Sequence, residues 1–196
     1  MTDKVLNWGL PSTAHINRAL ITPLRASARN RLSAVASRSE ASAQAYAKEW
    51  NIEHSFGSYA AMLADPQIDV IYNPLPNHLH AEWTIKALEA GKHVLCEKPI
   101  GLTPTEVDTM ANAAIKNNRV LAEAFMYRHH PQTIKVKELV EKGAIGKLQA
   151  VRGAFTFKMS TDTNIRLVPE WGGGSIWDVG CYPISYTRYI IGAEPI

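Results

Sequence analysis

Two side chains that can exchange protons lie near the end of the 196-residue chain, after the consecutive glycines Gly172 to Gly174. They are Asp178 and Tyr182, and their four-residue spacing predicts that they share one face of a helix. A carboxylate beside a phenol is able to act as a proton-handling pair. Two structural interpretations remain open, because Ser175 with Asp178 fits a capping box and Tyr182 fits a tyrosine of the hydrophobic core.

A lysine stands directly after a predicted strand, in the sequence Glu97-Lys98-Pro99. In open parallel sheets, ligands bind beyond the carboxyl ends of the strands. Because the proline fixes the turn that follows, the Lys98 side chain is predicted to point into a ligand crevice. The alternative is an ordinary surface lysine.

The end of the predicted second strand indicates which nucleotide the chain prefers. An Asp or Glu at this place would bind the ribose 2′-hydroxyl of NAD, but this chain has Ser37-Arg38. A guanidinium can pair with a 2′-phosphate through two hydrogen bonds. The pair therefore favours NADP(H), with NAD(H) as the second choice. The alternative is that Ser37 or Ser39 caps the next helix and Arg38 is solvated.

The turn after the predicted first strand is where a dinucleotide-binding chain cradles the pyrophosphate at a helix N-terminus. Ser12, Ala14 and Asn17 occupy the three positions at which glycines are usual. Ser and Ala are small enough for close backbone approach, and Ser12 and Thr13 bring hydroxyl groups to a phosphate. Pro11 removes one N–H donor, so an ordinary strand-to-helix turn stays open as the alternative.

The segment that follows Asn73 contains two prolines, which favour an extended backbone. Asn77 is predicted to be a helix N-cap. His78 and His80 lack the i, i+4 spacing of a helical metal-binding pair, so no metal site is predicted.

The elements that must position these residues alternate along residues 1–122, which predicts parallel strands joined by right-handed helical crossovers. The predicted fold class is α/β, a doubly wound parallel (Rossmann) sheet. Thr103 with Glu106 forms a predicted capping box, and Gly91 closes the preceding helix. The predicted strands cover 5–9, 31–36, 69–72, 94–96 and 119–122, and the predicted helices cover 14–24, 39–50, 58–63, 77–90 and 103–116.

The pattern changes in residues 123–196. A helix over 131–142 ends at Gly143, and the alternating run 147–158 predicts a long strand of a different sheet. A loop over 159–171 leads to a helix over 175–191. One strand and two helices cannot close a domain, because the backbone groups of a sheet need partners. Residues 123–196 are therefore predicted to be the incomplete start of a second, α+β domain.

Composition excludes several classes of protein. The chain is 46% hydrophobic and 20% charged, as is usual for globular proteins, and its net charge of +3 predicts no nucleic-acid partner. Cys96 and Cys181 lie in apolar surroundings, which favours reduced, buried thiols. The N-terminus lacks the pattern of a signal peptide, and no apolar run reaches the ~18 residues of a membrane span. A cytoplasmic protein without a membrane partner is expected.

The motifs described above, taken in their order along the chain, resemble the Gfo/Idh/MocA oxidoreductases. The resemblance covers essentially the whole chain, and it is strongest to the branch with dimeric dihydrodiol dehydrogenase, xylose dehydrogenases and glucose–fructose oxidoreductase. The Glu-Lys-Pro motif followed by Gly-Gly-Gly…Asp…Gly-Cys-Tyr is specific. The residues that carry the resemblance are Ser37-Arg38, Asn73-Pro74, Asn77-His78, His80, Glu97-Lys98-Pro99, Glu123 to Arg128 and Gly172 to Tyr182.

The resemblance implies an enzyme that transfers hydride between NADP(H) and a carbinol carbon of a sugar or a trans-dihydrodiol. It implies that Tyr182 takes the hydroxyl proton, that the charge of Lys98 favours the phenolate, and that Asp178 orients the substrate or the tyrosine. Tyr127 and Arg128 match a segment near the substrate. The positions that match cofactor-lining residues are Ser12, Thr13, Ala14, Ser37, Arg38, Asn73, Pro74, Asn77, His80, Glu97 and Lys98.

The resemblance also implies that residues 123–196 begin a substrate and dimerisation domain built on a large open sheet. Family members are much longer, so a C-terminally truncated chain is expected, and a homo-oligomer when the chain has full length. The family usually has an aliphatic residue in place of Pro11. The alternative function is a catalytically silent NADP(H)-binding fragment. A short-chain-type reductase would need Tyr-x-x-x-Lys on one helix, and the sequence has no such spacing.

Overall fold

The computed structural model describes residues 4–161 and 163–195. These residues form two compact units, the first ending at Glu123 and the second beginning at Ala124.

The first unit is built on one sheet of six parallel strands, in the order β3-β2-β1-β4-β5-β6. This topology confirms the predicted doubly wound α/β sheet. The strands are β1 (Leu6–Leu10), β2 (Asn30–Ala36), β3 (His54–Phe56), β4 (Val70–Asn73), β5 (His93–Cys96) and β6 (Leu121–Glu123). The helices are α1 (Asn17–Ala26), α2 (Glu40–Glu49), α3 (Tyr59–Ala64), α4 (His80–Glu89) and α5 (Pro104–Lys116).

In the first unit, two differences from the predicted elements concern β3 and the start of α1. Strand β3 was not predicted, because a three-residue edge strand, His54-Ser55-Phe56, carries no apolar run. Helix α1 begins at Asn17 and not at Ala14, since the residues before it form a tighter turn in which the Asn17 N–H donates to the Ala14 carbonyl at 3.1 Å.

Side-chain caps define where three of the helices begin. Ser39, Ser58 and Thr103 each accept a hydrogen bond from a backbone N–H of the first helical turn. The capping box at Thr103 is only half formed, because the Glu106 carboxylate accepts from the Leu102 N–H at 2.7 Å. Gly91 adopts φ +77 after α4, as the predicted helix end requires.

The core of the first unit lies on both faces of the sheet, which is why its central strands are apolar. Val35 in β2, Ile71 in β4 and Cys96 in β5 are all buried. Close packing also explains Gly9 in β1, because a Cβ there would lie 3.0 Å from Met62 Sδ and 3.2 Å from Ile71 Cδ1. The sheet is thus a rigid platform for the turns at its carboxyl edge.

The second unit contains two α-helices, α6 (Pro131–Glu141) and α7 (Cys181–Ile191). Short 3₁₀ turns occur at Met126–His129, Ile165–Leu167 and Pro169–Trp171, and a π-helical turn, Ile176–Gly180, leads directly into α7. The predicted helix over 175–191 is therefore present, but its first turn is wider than an α-helical turn.

The predicted strand over 147–158 is wrong for this structure. Within the part of the chain that the structure describes, the segment forms no hydrogen-bonded pair with another strand, and both of its alternating faces are largely exposed. The physical reason is that a strand needs a hydrogen-bonded neighbour, and the second unit contains no other strand among its described residues.

No helix in residues 4–161 and 163–195 has both the length and the apolar character that crossing a lipid bilayer requires.

The two thiols differ in burial, and we expect them to differ in reactivity. Burial raises the pKa of the Cys96 thiol to about 12, whereas Cys181 is half-buried. Thiolate is the reactive form of cysteine. The Cys181→Ser variant keeps the buried Cys96 thiol, so it should show no prompt reaction with a thiol-specific disulfide reagent at pH 8 until denaturant is added. The matched Cys96→Ser variant should react without denaturant. Prompt, stoichiometric labelling of folded Cys181→Ser would show that Cys96 is accessible.

Candidate functional site

The end of β4 is organised by the buried side chain of Asn73. Its amide nitrogen donates to the His80 carbonyl at 3.3 Å and lies 3.1 Å from Thr84 Oγ1, and its amide oxygen accepts from the Leu75 N–H at 3.3 Å. Asn73 and Thr84 are both completely buried. Asn73 therefore joins the strand end to the first turns of α4, and it shapes the edge of the sheet from within.

The turn after β5 carries the predicted lysine. The Glu97 N–H donates to the Asn73 carbonyl at 2.9 Å, and the Glu97 carboxylate accepts from the Tyr72 hydroxyl at 2.5 Å and from the Lys98 N–H at 3.2 Å. The Lys98–Pro99 peptide bond is cis. After it, the Ile100 N–H donates to the Glu123 carboxylate at 2.9 Å. Backbone contacts thus hold Lys98 from both sides.

His80, the first residue of α4, is almost completely buried. Its Nδ1 lies 2.7 Å from the Pro99 carbonyl oxygen and its Nε2 lies 2.7 Å from the Leu75 carbonyl oxygen. Burial lowers the pKa of this imidazole, although the two carbonyls act in the opposite direction. Asn77 begins a 3₁₀ turn before α4 and does not cap it, so the predicted N-cap is wrong.

The turn after β1 is held by Ser12. Its hydroxyl oxygen accepts from the Ala14 N–H at 2.8 Å, and its carbonyl accepts from the Asn17 side-chain amide at 2.7 Å. Thr13 is exposed at the same turn. Polar side chains of Ser12 and Asn17 thus order a turn that lacks glycine, and a hydroxyl group lies on its surface.

The end of β2 presents an exposed guanidinium. The Ser37 N–H donates to the Phe56 carbonyl at 3.0 Å, and Ser39 caps α2, which is the capping role that the sequence left open. Arg38 is exposed between them. It lies within electrostatic range of Tyr59, whose pKa is raised by burial and lowered in part by this positive charge.

The strand order explains which predicted residues meet. Because β1 lies between β2 and β4, and β5 lies beside β4, the turns after these four strands share one edge of the sheet. This edge, the cofactor edge hereafter, is formed by residues 11–14, 37–38, 73–77 and 97–98. Asn73, Pro74 and His80 are buried there, so among the predicted cofactor-lining residues these three are placed to support the edge.

In the second unit, Tyr182 belongs to an aromatic cluster. Its ring lies 5.5 Å from Phe125, 6.1 Å from Tyr127 and 5.4 Å from Phe155, measured between ring centroids. Its hydroxyl lies 3.8 Å from Met126 Sδ. The ring is half-buried, so the cluster fixes the ring while the phenol group remains accessible.

Asp178 lies in the π-helical turn before α7. Its carboxylate pairs with the Arg166 guanidinium, with 2.7 Å between Oδ2 and Nε. The alternative capping box is wrong, because Ser175 makes no side-chain cap. The triple glycine has a steric reason, since a Cβ on Gly173 would lie 2.7 Å from the Arg166 and Val168 carbonyl oxygens. Gly172 and Gly174 have positive φ.

Tyr127 and Arg128 are placed by contacts with α7. The Tyr127 hydroxyl donates to Ser185 Oγ at 2.7 Å, and its ring contacts Tyr182. The Arg128 guanidinium lies 4.9 Å from the centre of the Tyr189 ring. Of this pair, Tyr127 therefore contacts the predicted proton-handling tyrosine directly.

Several residues of these networks were not predicted as site residues from the sequence, among them Tyr72, Glu123, Arg166 and Phe155. Their partners are distant in sequence, so no local spacing identifies them. A signal existed only for Glu123, a carboxylate directly after the last predicted strand. No group of three or more His, Cys, Asp or Glu side chains in the described ranges is placed to hold a metal ion.

Two family models match the chain. One, described as an oxidoreductase family with an NAD-binding Rossmann fold, matches residues 10–125. The other, the GFO/IDH/MocA C-terminal domain, matches residues 133–196.

Curated relatives include sugar and diol dehydrogenases. The chain is 40% identical to D-xylose 1-dehydrogenase (NADP(+)) 2 of Haloferax volcanii over 94% of this chain and 57% of the relative. It is 33% identical to trans-1,2-dihydrobenzene-1,2-diol dehydrogenase of Xenopus laevis over 95% of this chain and 57% of the relative. The chain thus spans a little over half the length of these relatives.

Among solved structures, a 3-ketoreductase from Actinomadura kijaniata in complex with NADP and TDP-benzene matches with a TM-score of 0.90 and 32% identity. The match covers 96% of this chain and 58% of the reductase. An aldose-aldose oxidoreductase from Caulobacter crescentus matches with a TM-score of 0.90 and 28% identity, over 98% of this chain and 59% of that one.

The Asn73 network should make a large contribution to stability. Asn73→Ala leaves the buried Leu75 N–H without its partner and removes the amide donor to the His80 carbonyl and to Thr84, which we expect to lower the free energy of unfolding by about 2–4 kcal/mol. Urea unfolding followed by circular dichroism measures this change. Gln44→Ala, at an exposed helical position, is the control and should change stability by less than about 0.5 kcal/mol. Equal stability of the two variants would contradict the role given to Asn73.

Proposed function

Because the chain belongs to the Gfo/Idh/MocA oxidoreductase family, we propose that it binds NADP(H) at the cofactor edge of its parallel sheet. We propose further that it transfers hydride between this cofactor and a carbinol carbon of a sugar or a trans-dihydrodiol. The observation that carries the proposal is the convergence of the Ser12 turn, Ser37-Arg38 and Glu97-Lys98 at one edge. Their polar groups suit the phosphates and the nicotinamide end of a dinucleotide.

The preference for NADP(H) over NAD(H) is assigned to Arg38. The side chain is exposed at the end of β2, and the neighbouring residues, Ser37 and Ser39, carry no negative charge. A guanidinium there can pair with the ribose 2′-phosphate of NADP(H) through charge-assisted hydrogen bonds. The 2′-hydroxyl of NAD(H) would interact less strongly with the same guanidinium. The named NADP(+) specificity of the Haloferax volcanii relative agrees with this assignment.

Tyr182, Lys98 and Asp178 are the proposed catalytic residues. A free phenol has a pKa near ~10, so it is a weak base at neutral pH. We assign the exchange of the substrate's hydroxyl proton to Tyr182, and to Lys98 the positive charge that favours the phenolate. Asp178, held by Arg166, is assigned to orienting the substrate or the tyrosine. Bound NADP(H) would supply the hydride chemistry.

The substrate is assigned to the second unit. Tyr127 and Arg128 are proposed to contact it, because the Tyr127 ring contacts the Tyr182 ring and the Arg128 guanidinium lies over the Tyr189 ring of α7. By their names, two of the relatives above act on D-xylose and on trans-1,2-dihydrobenzene-1,2-diol, and the 3-ketoreductase binds TDP-benzene. We therefore propose a sugar or a diol as the substrate class.

The proposed domain division is residues 1–122 for the dinucleotide and residues 123–196 for the start of the substrate and dimerisation domain. A division near this point is supported by two separate family models, one ending at residue 125 and the other beginning at residue 133. We propose a homo-oligomer for a chain of the relatives' full length.

The second candidate function is NADP(H) binding without catalysis. It is favoured by one observation, the coverage of only 57% of the xylose dehydrogenase and of the dihydrodiol dehydrogenase. NADPH fluorescence titration, followed by an assay with NADP(+) and a panel of aldoses and trans-dihydrodiols, separates the two. Binding with turnover supports the enzyme, and binding without turnover of any substrate supports the silent binder. Absence of NADPH binding would overturn both.

Arg38→Ala should weaken NADPH binding by about 10- to 100-fold and change NADH binding by less than about threefold, because only NADPH carries the 2′-phosphate. Fluorescence titration with both nucleotides measures the ratio. Arg29→Ala removes the same charge from an exposed position before β2, at the opposite edge, and serves as the control. A parallel loss for NADPH and NADH would mean that Arg38 does not contact the 2′-phosphate.

Tyr182→Phe should lower kcat by at least about 100-fold, the size of a lost acid–base group, and leave NADPH affinity within about twofold. The ring and its aromatic contacts remain, so a change in folding is not expected. Tyr186→Phe, one turn later on α7, is the matched control and should keep kcat. An unchanged rate in Tyr182→Phe would discard this residue as the acid–base group.

A further inference from the structure

The His80 ring connects three parts of the first unit. The residue begins α4, its Nε2 contacts the Leu75 carbonyl in the loop after β4, and its Nδ1 contacts the Pro99 carbonyl in the turn after β5. Both contacts measure 2.7 Å, and the side chain is 1% exposed. Since almost no solvent reaches it, the ring is placed to support the cofactor edge from within.

Both contacts of the ring require a proton on nitrogen. A carbonyl oxygen only accepts hydrogen bonds, whereas a neutral imidazole has one N–H and an imidazolium has two. The ring contacts the two carbonyls, and the charges of Glu97 and Lys98 are close enough to act on its pKa. Burial lowers the pKa of His80, and Lys98 adds to that effect, while the carbonyls and Glu97 oppose it.

The Pro99 carbonyl is the point where the ring acts on Lys98. Hydrogen bonds of Glu97 with Asn73 hold the residue before the lysine, and the bond from Ile100 to Glu123 holds the second residue after it. The His80 contact holds the residue between, which is joined to Lys98 directly. Hydrogen bonds therefore hold the turn at Glu97, Pro99 and Ile100. The main-chain position of Lys98 depends in part on the His80 ring.

We propose that His80 is a positioning residue for Lys98, acting through an Nδ1–H hydrogen bond to the Pro99 carbonyl. The proposal rests on the proposed function of Lys98 in catalysis. The ring links the buried loop after β4 to the lysine turn through its contacts with the Leu75 and Pro99 carbonyls. This link holds the Lys98 ammonium in place before substrate arrives. A displacement of a catalytic group by about 1 Å is enough to lower a rate by about 100-fold.

Two amide substitutions separate this role from a merely structural one. In His80→Asn the side-chain nitrogen replaces Nδ1 and can still donate to Pro99, whereas in His80→Gln it replaces Nε2 and can donate only to Leu75. Each variant loses one contact and the ring volume, so similar losses of stability are expected. We expect kcat to be lower in His80→Gln than in His80→Asn by about tenfold, with equal NADPH affinity in the two variants.

The decisive result is the difference between the two variants. Equal values of kcat in His80→Asn and His80→Gln, or losses that follow thermal stability, would overturn the positioning role. A wild-type chain that binds no NADPH and turns over no substrate would instead overturn the proposed function.

A measurement on the unsubstituted protein covers the case in which the variants do not fold. Long-range ¹H–¹⁵N NMR of the His80 ring reports which nitrogen is protonated. A proton on Nδ1 at neutral pH supports the hydrogen bond to Pro99. An Nδ1 that carries no proton between pH 6 and pH 8 excludes that bond and with it the proposal.

Discussion

The candidate site depends on one constraint, which is that every buried backbone group at the end of a parallel strand needs a hydrogen-bonding partner. Six parallel strands end at the same edge, and the backbone hydrogen bonds between strands end there too. Beyond that edge, side chains supply hydrogen-bonding partners to the backbone of the turns. Asn73, Glu97 and Glu123 bond the backbone of the turns after β4 and β5, and buried His80 bonds two carbonyls of the same turns. The groups that satisfy the backbone therefore also set the position of Lys98.

The same constraint explains how a turn without glycine can lie at a nucleotide-binding edge. A glycine-rich turn approaches phosphate through its bare backbone. Here the Ser12 hydroxyl and the Asn17 amide bond the backbone of the turn, and Gly9 allows the close packing of β1 that lies before it. The turn therefore keeps its shape through side chains, in the absence of the usual glycines.

The second unit shows what happens where such partners are absent. The run 147–158 alternates as a strand does, yet it pairs with nothing among the described residues. By contrast, Asp178 and Tyr182 are well placed within this unit, because Arg166, the packed glycines and the aromatic rings each fix one of them. Contacts between residues distant in sequence therefore hold the proposed proton-handling residues of this unit in place.

The sequence by itself determined the parallel α/β sheet, the helix ends at Gly91 and Thr103, and the residues at the strand ends, because these depend on local periodicity and capping. It also carried the family resemblance, through motifs that occur in a specific order. Only the tertiary structure decided that β3 exists, that Asn73 and His80 support the edge from within, and that Arg166 pairs with Asp178. Burial and pairing depend on residues far apart in the chain, such as His80 and Pro99, which are 19 positions apart. No local pattern encodes them.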